Sequence, residues 1–388
     1  MSCIRLQSIK YSEYLGEPKE WVLDLPLSRI NLLVGKNATG KSRSLNVIVG
    51  LSKLLSSTLK YRVNNGFYDV EFDNNGIKLR YVINIKNENV ESEQYFINNK
   101  RVLKRGLDDK DEIETHKADG DPQMMQFSPP KNELAAVVRR DAIQHPYLEL
   151  LHDWAQATSH YTFGASLGKD RLAFIRKGAP EVNVKNANEV VGIFSKAQRE
   201  FKDIFIDAVK LDMATMQYQI DSIDIVSPKQ FSVVDSEIEG RLACIGIKEE
   251  GLDRVIDQTE MSQGMFRALS ILIQVNYSQL AKHASCILID DIGEGLDFER
   301  STSLIEILRQ KAADSSFQLI LTTNDKFVMN KVPLNEWLIL QREGGSVKVR
   351  NYINSKQLFE DFKFTGLSNF SLFEMDFLKD QESLEVSE

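Results

Sequence analysis

Apolar side chains in this chain recur in two periods, and the change of period divides it. Residues 4–9 and 21–25 read as strands leading into a third, 30–34, where Ile30, Leu32, Leu33 and Val34 form an almost unbroken apolar run. A glycine-bearing stretch follows, after which Leu45, Val47, Ile48, Leu51, Leu54 and Leu55 take helical spacing. Residues 68–104 fall into short pieces separated by Asp73-Asn74-Asn75-Gly76 and by Asn98-Asn99, which predicts an antiparallel meander with strands at 70–72, 78–85, 94–97 and 101–103. The acidic, aperiodic segment 107–121 predicts a surface loop, ending in the run 124–127 and then Pro129-Pro130.

From 132 to about 164 the pattern is helical (Leu134, Val137, Val138, Ile143, Leu148, Leu151, Trp154), and a second helical stretch covers 187–210. Strand signals return at 220–226, 231–234 and 242–247, and helix and strand then alternate through Leu340, as in a parallel sheet completed late in the chain. The pattern predicts an α/β fold with a mixed sheet, an antiparallel β meander and an inserted helical lobe. Its expected parts are 1–130, 131–215 and 216–388, with the acidic tail 381–388 frayed. The sequence shows no internal repeat, low-complexity tract or long heptad run.

Composition narrows the picture. With 388 residues, 42% of them hydrophobic, the chain can bury a core large enough for two lobes. No apolar run approaches the roughly 20 residues that cross a bilayer, and residues 1–5 lack the apolar stretch of a signal peptide. The 3 cysteines (Cys3, Cys244, Cys286) read as reduced thiols of a cytoplasmic protein, Cys286 within a buried strand. The net charge of −8 argues against a generally basic surface for nucleic acid, although a local basic groove stays open; Lys104-Arg105 and Arg139-Arg140 read as solvated pairs. The 5 histidines (His116, His145, His152, His160, His283) show no ligand spacing and predict no metal.

The chemistry begins where the strand at 30–34 breaks. Gly35-Lys36-Asn37-Ala38-Thr39-Gly40-Lys41-Ser42, followed by Arg43, stands between a strand and a helix, the context in which Gly-x-x-x-x-Gly-Lys-Ser binds a nucleoside triphosphate. Gly35 and Gly40 let the loop wrap so that its N–H groups face phosphates. Lys41 is expected on the β- and γ-phosphates and the Ser42 hydroxyl on Mg²⁺. Far along the chain, Cys286-Ile287-Leu288-Ile289-Asp290-Asp291 is an apolar strand ending in two carboxylates, the Walker B pattern. Asp290 is expected to hold Mg²⁺ opposite Ser42, and Asp291 to act as base or to orient water.

Upstream of that strand, Met261-Ser262-Gln263-Gly264-Met265 opens a helix, and Gly293-Glu294-Gly295-Leu296-Asp297 follows the strand. These stretches resemble the Leu-Ser-Gly-Gly-Gln signature and the D-loop of ABC-class ATPases, and the order of motifs over nearly the whole chain is that of the class. The nearest resemblance is to coil-free relatives of SMC, RecF and overcoming-lysogenization-defect proteins, many of which act in prokaryotic defence beside a separate effector. The resemblance implies a homodimer sandwiching two ATP molecules, each between one P-loop and the partner's signature, with Ser262, Gly264 and Asp297 at the nucleotide. It makes Leu321-Thr322-Thr323-Asn324-Asp325 a switch region with Asn324 where the class usually has His. Asp291 stands where Glu is usual, so hydrolysis is expected to be slow. A Q-loop glutamine on the metal is assigned to Gln126.

Three functions compete. One is an ATP-dependent switch that dimerises and regulates a partner effector; another is a RecF-like ATPase clamping nucleic acid; the third carries its own nuclease. The acidic charge favours the first over the second, and too little chain follows the D-loop strands for a nuclease domain. The aromatic stretch 351–373, with Phe359, Phe362, Phe364, Phe370 and Phe373, is expected to pack in the core rather than dock a partner.

Overall fold

The structure is a computed structural model that describes residues 4–59, 63–107, 110–117, 120–176, 178, 181–231, 240–282, 286–314 and 317–374. Cys3, His283, Ser285, most of the expected strand at 231–234 and the tail 381–388 lie outside the described residues.

The first half of the chain runs β1 (Ile4–Glu13), β2 (Trp21–Pro26), β3 (Ile30–Val34), α1 (Lys41–Leu55), β4 (Asn65–Asn74), β5 (Ile77–Lys86), β6 (Asn89–Ile97), β7 (Lys100–Arg105), β8 (Glu112–Lys117), β9 (Gly120–Gln126), α2 (Ala135–Val138), α3 (Pro146–Gln156), β10 (Thr158–Thr162) and β11 (Ala173–Ile175). It continues with α4 (Val190–Thr215), β12 (Ile220–Val226), β13 (Arg241–Glu249), β14 (Val255–Asp257), α5 (Gln263–Leu280), β15 (Cys286–Asp290), α6 (Phe298–Asp314), β16 (Gln318–Thr322), α7 (Lys326–Lys331), β17 (Trp337–Glu343), β18 (Ser346–Asn351), α8 (Lys356–Phe364) and α9 (Asn369–Glu374).

Strands β10, β15, β16, β3 and β17 lie side by side and parallel. Every residue of β15 and β16 is buried, which is why these strands read as continuous apolar runs. Alternate residues face different cores. Leu33, Cys286, Leu288 and Ile320 pack with α1 and α3, whereas Leu32, Val34, Ile287, Ile289, Leu319 and Leu321 pack with α4, α5 and α6. Beyond β17 the sheet turns antiparallel through β18, which lies parallel to β2, and then runs β1, β4 and on to β9. Among the described residues, β11, β12, β13 and β14 form a smaller sheet apart from this one. The mixed α/β architecture with its long meander is as the pattern predicts.

Several local expectations change. Much of the expected loop 107–121 is the hairpin of β8 and β9, which extends the meander. The helical reading of 132–164 stops early, because the chain leaves α3 and enters β10, beside the Walker B strand. The second helix is longer than expected and bends at Lys202, whose φ of 49° interrupts it. In the aromatic stretch Phe359 and Phe362 are buried, but Phe364 is 89% exposed.

Candidate nucleotide-binding site

The loop between β3 and α1 is tight because its residues permit nothing looser. A side chain on Gly35 would begin 2.4 Å from Thr39 Oγ1 and 2.8 Å from the Leu340 carbonyl oxygen. Ala38 (φ 65°) and Gly40 (φ 102°) are both left-handed, which folds the loop into the concave shape that gathers N–H groups around an anion. Thr39 closes the turn, its N–H and Oγ1 donating to the Lys36 carbonyl at 3.3 and 2.9 Å. No side chain caps the start of α1, so its first N–H groups are left for a ligand. Lys36, Asn37 and Ala38 form the exposed rim.

Lys41 is buried at the loop's centre, where Nζ donates to the carbonyls of Gly35 (2.7 Å) and Lys36 (3.3 Å). Burial lowers its pKa below the usual lysine value, and the carboxylates of Asp291 and Asp290 partly oppose that shift. A desolvated cation bound by carbonyls is well prepared to gain from a polyphosphate.

Packing brings β15 to the same place. Ser42 Oγ donates to Asp290 Oδ1 at 3.1 Å, joining residues far apart in sequence. Thr322, at the end of β16, donates to the same carboxylate oxygen at 2.5 Å and accepts the Asp291 N–H at 2.9 Å. One hydroxyl thus holds the Asp290 carboxylate and the backbone of Asp291. The Ser42 hydroxyl and Asp290 carboxylate are hard oxygen donors of the kind that Mg²⁺ takes. Asp291 has left-handed backbone (φ 54°), and Asn324 Nδ2 reaches its Oδ1 at 3.4 Å. Desolvation raises the Asp291 pKa, as do the neighbouring charges of Asp290 and Glu294, while Lys41 lowers it.

The signature segment sits against the D-loop. Ser262 caps α5 by accepting the Met265 N–H at 3.2 Å. A Cβ on Gly264 would meet the Gly295 carbonyl at 2.9 Å and Leu296 at 3.2 Å. Asp297 accepts the Arg300 N–H at 2.9 Å and pairs with its guanidinium, which lies over the Tyr218 ring.

Sequence reasoning missed two features here and misplaced a third. Arg267, buried on α5, donates to the carbonyls of Ala165 (2.9 Å), Glu294 (3.2 Å) and Gly164, tying the segment after β10 to the D-loop and signature helix. Its place in the helix following the signature was the available signal. Thr162, the register partner of Asp290, ends β10 at the mouth of the site. Gln126 is instead on β9, the far edge of the main sheet, opposite Glu112. The apolar run that suggested it is an exposed edge strand, so the ligand set expected from Ser42, Asp290 and Gln126 reduces to the first two.

No protein-family profile matches the sequence. A search of curated proteins finds no relative. Solved structures do match. An SMC head bound to the C-winged helix domain of ScpA is 14% identical, with 89% of this chain and 96% of that one covered at a TM-score of 0.51. An SMC head domain with an extended coiled coil, bound to the C-terminal domain of ScpA and derived from Pyrococcus furiosus, is 13% identical over 93% of this chain and 100% of that one, with a TM-score of 0.50. The chain has the fold of these SMC heads.

Proposed function

We propose that this chain, folded like an SMC head, is an ATPase in which two copies close on two molecules of Mg²⁺-ATP and act as a switch for a separate effector protein. The observation carrying this reading is the 3.1 Å contact of Ser42 with Asp290, which unites a phosphate loop and a carboxylate strand from opposite halves of the chain. The N–H groups of residues 36–43 would hold the phosphates, with Lys41 as the fixed cation. Ser42 and Asp290 would hold Mg²⁺, which when bound neutralises charge on the phosphate oxygens. Asp291 accepts a proton from, or orients, the attacking water, and Asn324 positions that carboxylate.

The close packing of Gly264 on the D-loop supports a shared surface bearing Ser262, Gly264 and Asp297, facing the P-loop of a second copy. Slow turnover follows from the short carboxylate at 291 and from Asn324, which has no titratable proton to offer. The resemblance to coil-free defence ATPases supports a role in anti-phage defence in the cytoplasm, and the net charge of −8 supports an effector protein over nucleic acid as partner. The division into 1–130, 131–215 and 216–388 belongs to the same proposal, with β10 of the middle part joining the core sheet beside β15.

Titration calorimetry with Mg²⁺-ATP tests the foundation. Lys41→Ala should weaken binding about 100-fold, as expected on losing a buried charge-assisted contact. Unchanged affinity would remove the phosphate-loop assignment.

A further inference from the structure

Arg43, the residue after Ser42, is held between two partners. Its guanidinium lies 4.4 Å from the centroid of the Trp21 ring, and it pairs with Glu13. Glu13 is itself fixed, accepting from Tyr11 Oη at 2.9 Å, and the Tyr11 ring packs on Trp21 at 5.8 Å between centroids. Trp21 is 1% exposed and lies beneath the P-loop, with a Cβ on Gly40 only 3.5 Å from its ring. The Arg43 guanidinium therefore lies over Trp21, and the side chain is still 44% exposed.

This arrangement suits a surface for stacking better than a phosphate clamp. An arginine already paired with a carboxylate has little net charge left for a phosphate. Its planar guanidinium, by contrast, is well matched to a base. Rigidity adds to this, since little rotamer freedom remains to be lost on binding. Arg43 also stands at the first turn of α1, one residue beyond the hydroxyl expected on Mg²⁺, so the part of a nucleotide beyond the phosphates lies within its reach.

We propose that the exposed face of the Arg43 guanidinium, backed by Trp21 and held by Glu13, is the platform on which the nucleotide's purine base stacks. The inference rests on residues 35–43 being a nucleotide loop. It makes Arg43 a determinant of base preference and leaves phosphate affinity to Lys41 and the loop N–H groups.

The test compares ATP, CTP and inorganic tripolyphosphate, each with Mg²⁺, by titration calorimetry on the full chain. Wild type should prefer ATP over CTP by about tenfold, the scale of one good base stack. Arg43→Lys keeps the charge and covers Trp21 with its stem but loses the plane. It should lose that preference while binding tripolyphosphate within about twofold of wild type. Arg43→Gln, neutral but planar, should retain part of the preference, which guards against a fold defect in the lysine variant. If Arg43→Lys binds ATP like wild type, or if tripolyphosphate weakens as much as ATP, Arg43 serves the phosphates and the platform is wrong. Failure of the underlying reading looks different: wild type would then bind neither ATP nor tripolyphosphate.

Discussion

Asp290 and Asp291 are neighbours held for different work, and the Thr322 hydroxyl separates them by donating to one and accepting the N–H of the other. A left-handed aspartate is tolerated, because a short polar side chain relieves the steric cost that larger residues suffer there. The turn points Asp291 toward Asn324 while Asp290 faces Ser42. Asp291→Asn should accordingly bind ATP within about twofold of wild type and hydrolyse it at least about tenfold more slowly, a conservative bound on the roughly 100-fold or more that a positioned general base contributes. Single-turnover hydrolysis beside equilibrium binding separates the two effects, and a parental rate would show that Asp291 is not the catalytic carboxylate. At this scale the sequence was most readable: the motifs single out Lys41, Ser42, Asp290 and Asp291, and the structure brings these four side chains together. Thr322 was visible only as part of a switch pattern, because its role depends on β16 lying beside β15.

Among the elements, α5 connects the signature to the rest of the site through Arg267. Removing that side chain leaves the carbonyls of Gly164, Ala165 and Glu294 without their donor. Arg267→Ala should cost about 2–3 kcal/mol in a denaturant titration. It should keep ATP binding and lose ATP-dependent association, because the D-loop and signature are no longer held together. Retained association measured by sedimentation would make Arg267 a purely structural residue. A second element joint is purely structural. Glu93 is fully buried and accepts from Tyr81 Oη (2.8 Å) and the N–H groups of Ala135 (2.7 Å) and Ala136 (2.8 Å), with Arg105 3.5 Å away. Glu93→Ala should destabilise by about 3–5 kcal/mol, since it strands the buried Arg105. A change below about 1 kcal/mol on thermal or denaturant unfolding would contradict that accounting. Strands buried on both faces were legible as apolar runs, and helices by their spacing. The β8–β9 hairpin was not, because an edge strand with both Met124 and Met125 exposed carries no alternation. Nor was β10, Thr-Ser-His-Tyr-Thr, whose residues follow α3 almost directly and whose partner lies far along the chain.

For the molecule as a whole, β3 sits between β16 and β17, so the P-loop is completed only when the last third of the chain has folded around it. The order of motifs along the sequence announced this arrangement, since a P-loop and a carboxylate strand must meet to hold one nucleotide. The placement of Gln126 failed for the complementary reason: a glutamine has no flanking pattern that reveals which sheet edge it will occupy. The proposed function assigns the junction of P-loop and signature to a second copy, and that is the central claim. Ser262 is exposed, so Ser262→Arg should fold, losing about 1 kcal/mol of helix capping. It should bind ATP yet fail to associate, whereas Lys41→Ala should bind ATP about 100-fold more weakly and fail to associate. Mixed together, the two variants can form one site from a sound P-loop and a sound signature. The direct measurement is ATP-dependent chemical crosslinking of differently tagged Ser262→Arg and Lys41→Ala chains, alone and mixed. The account predicts a crosslinked heterodimer in the mixture and none with either variant alone; wild-type crosslinking by Ser262→Arg alone would contradict it.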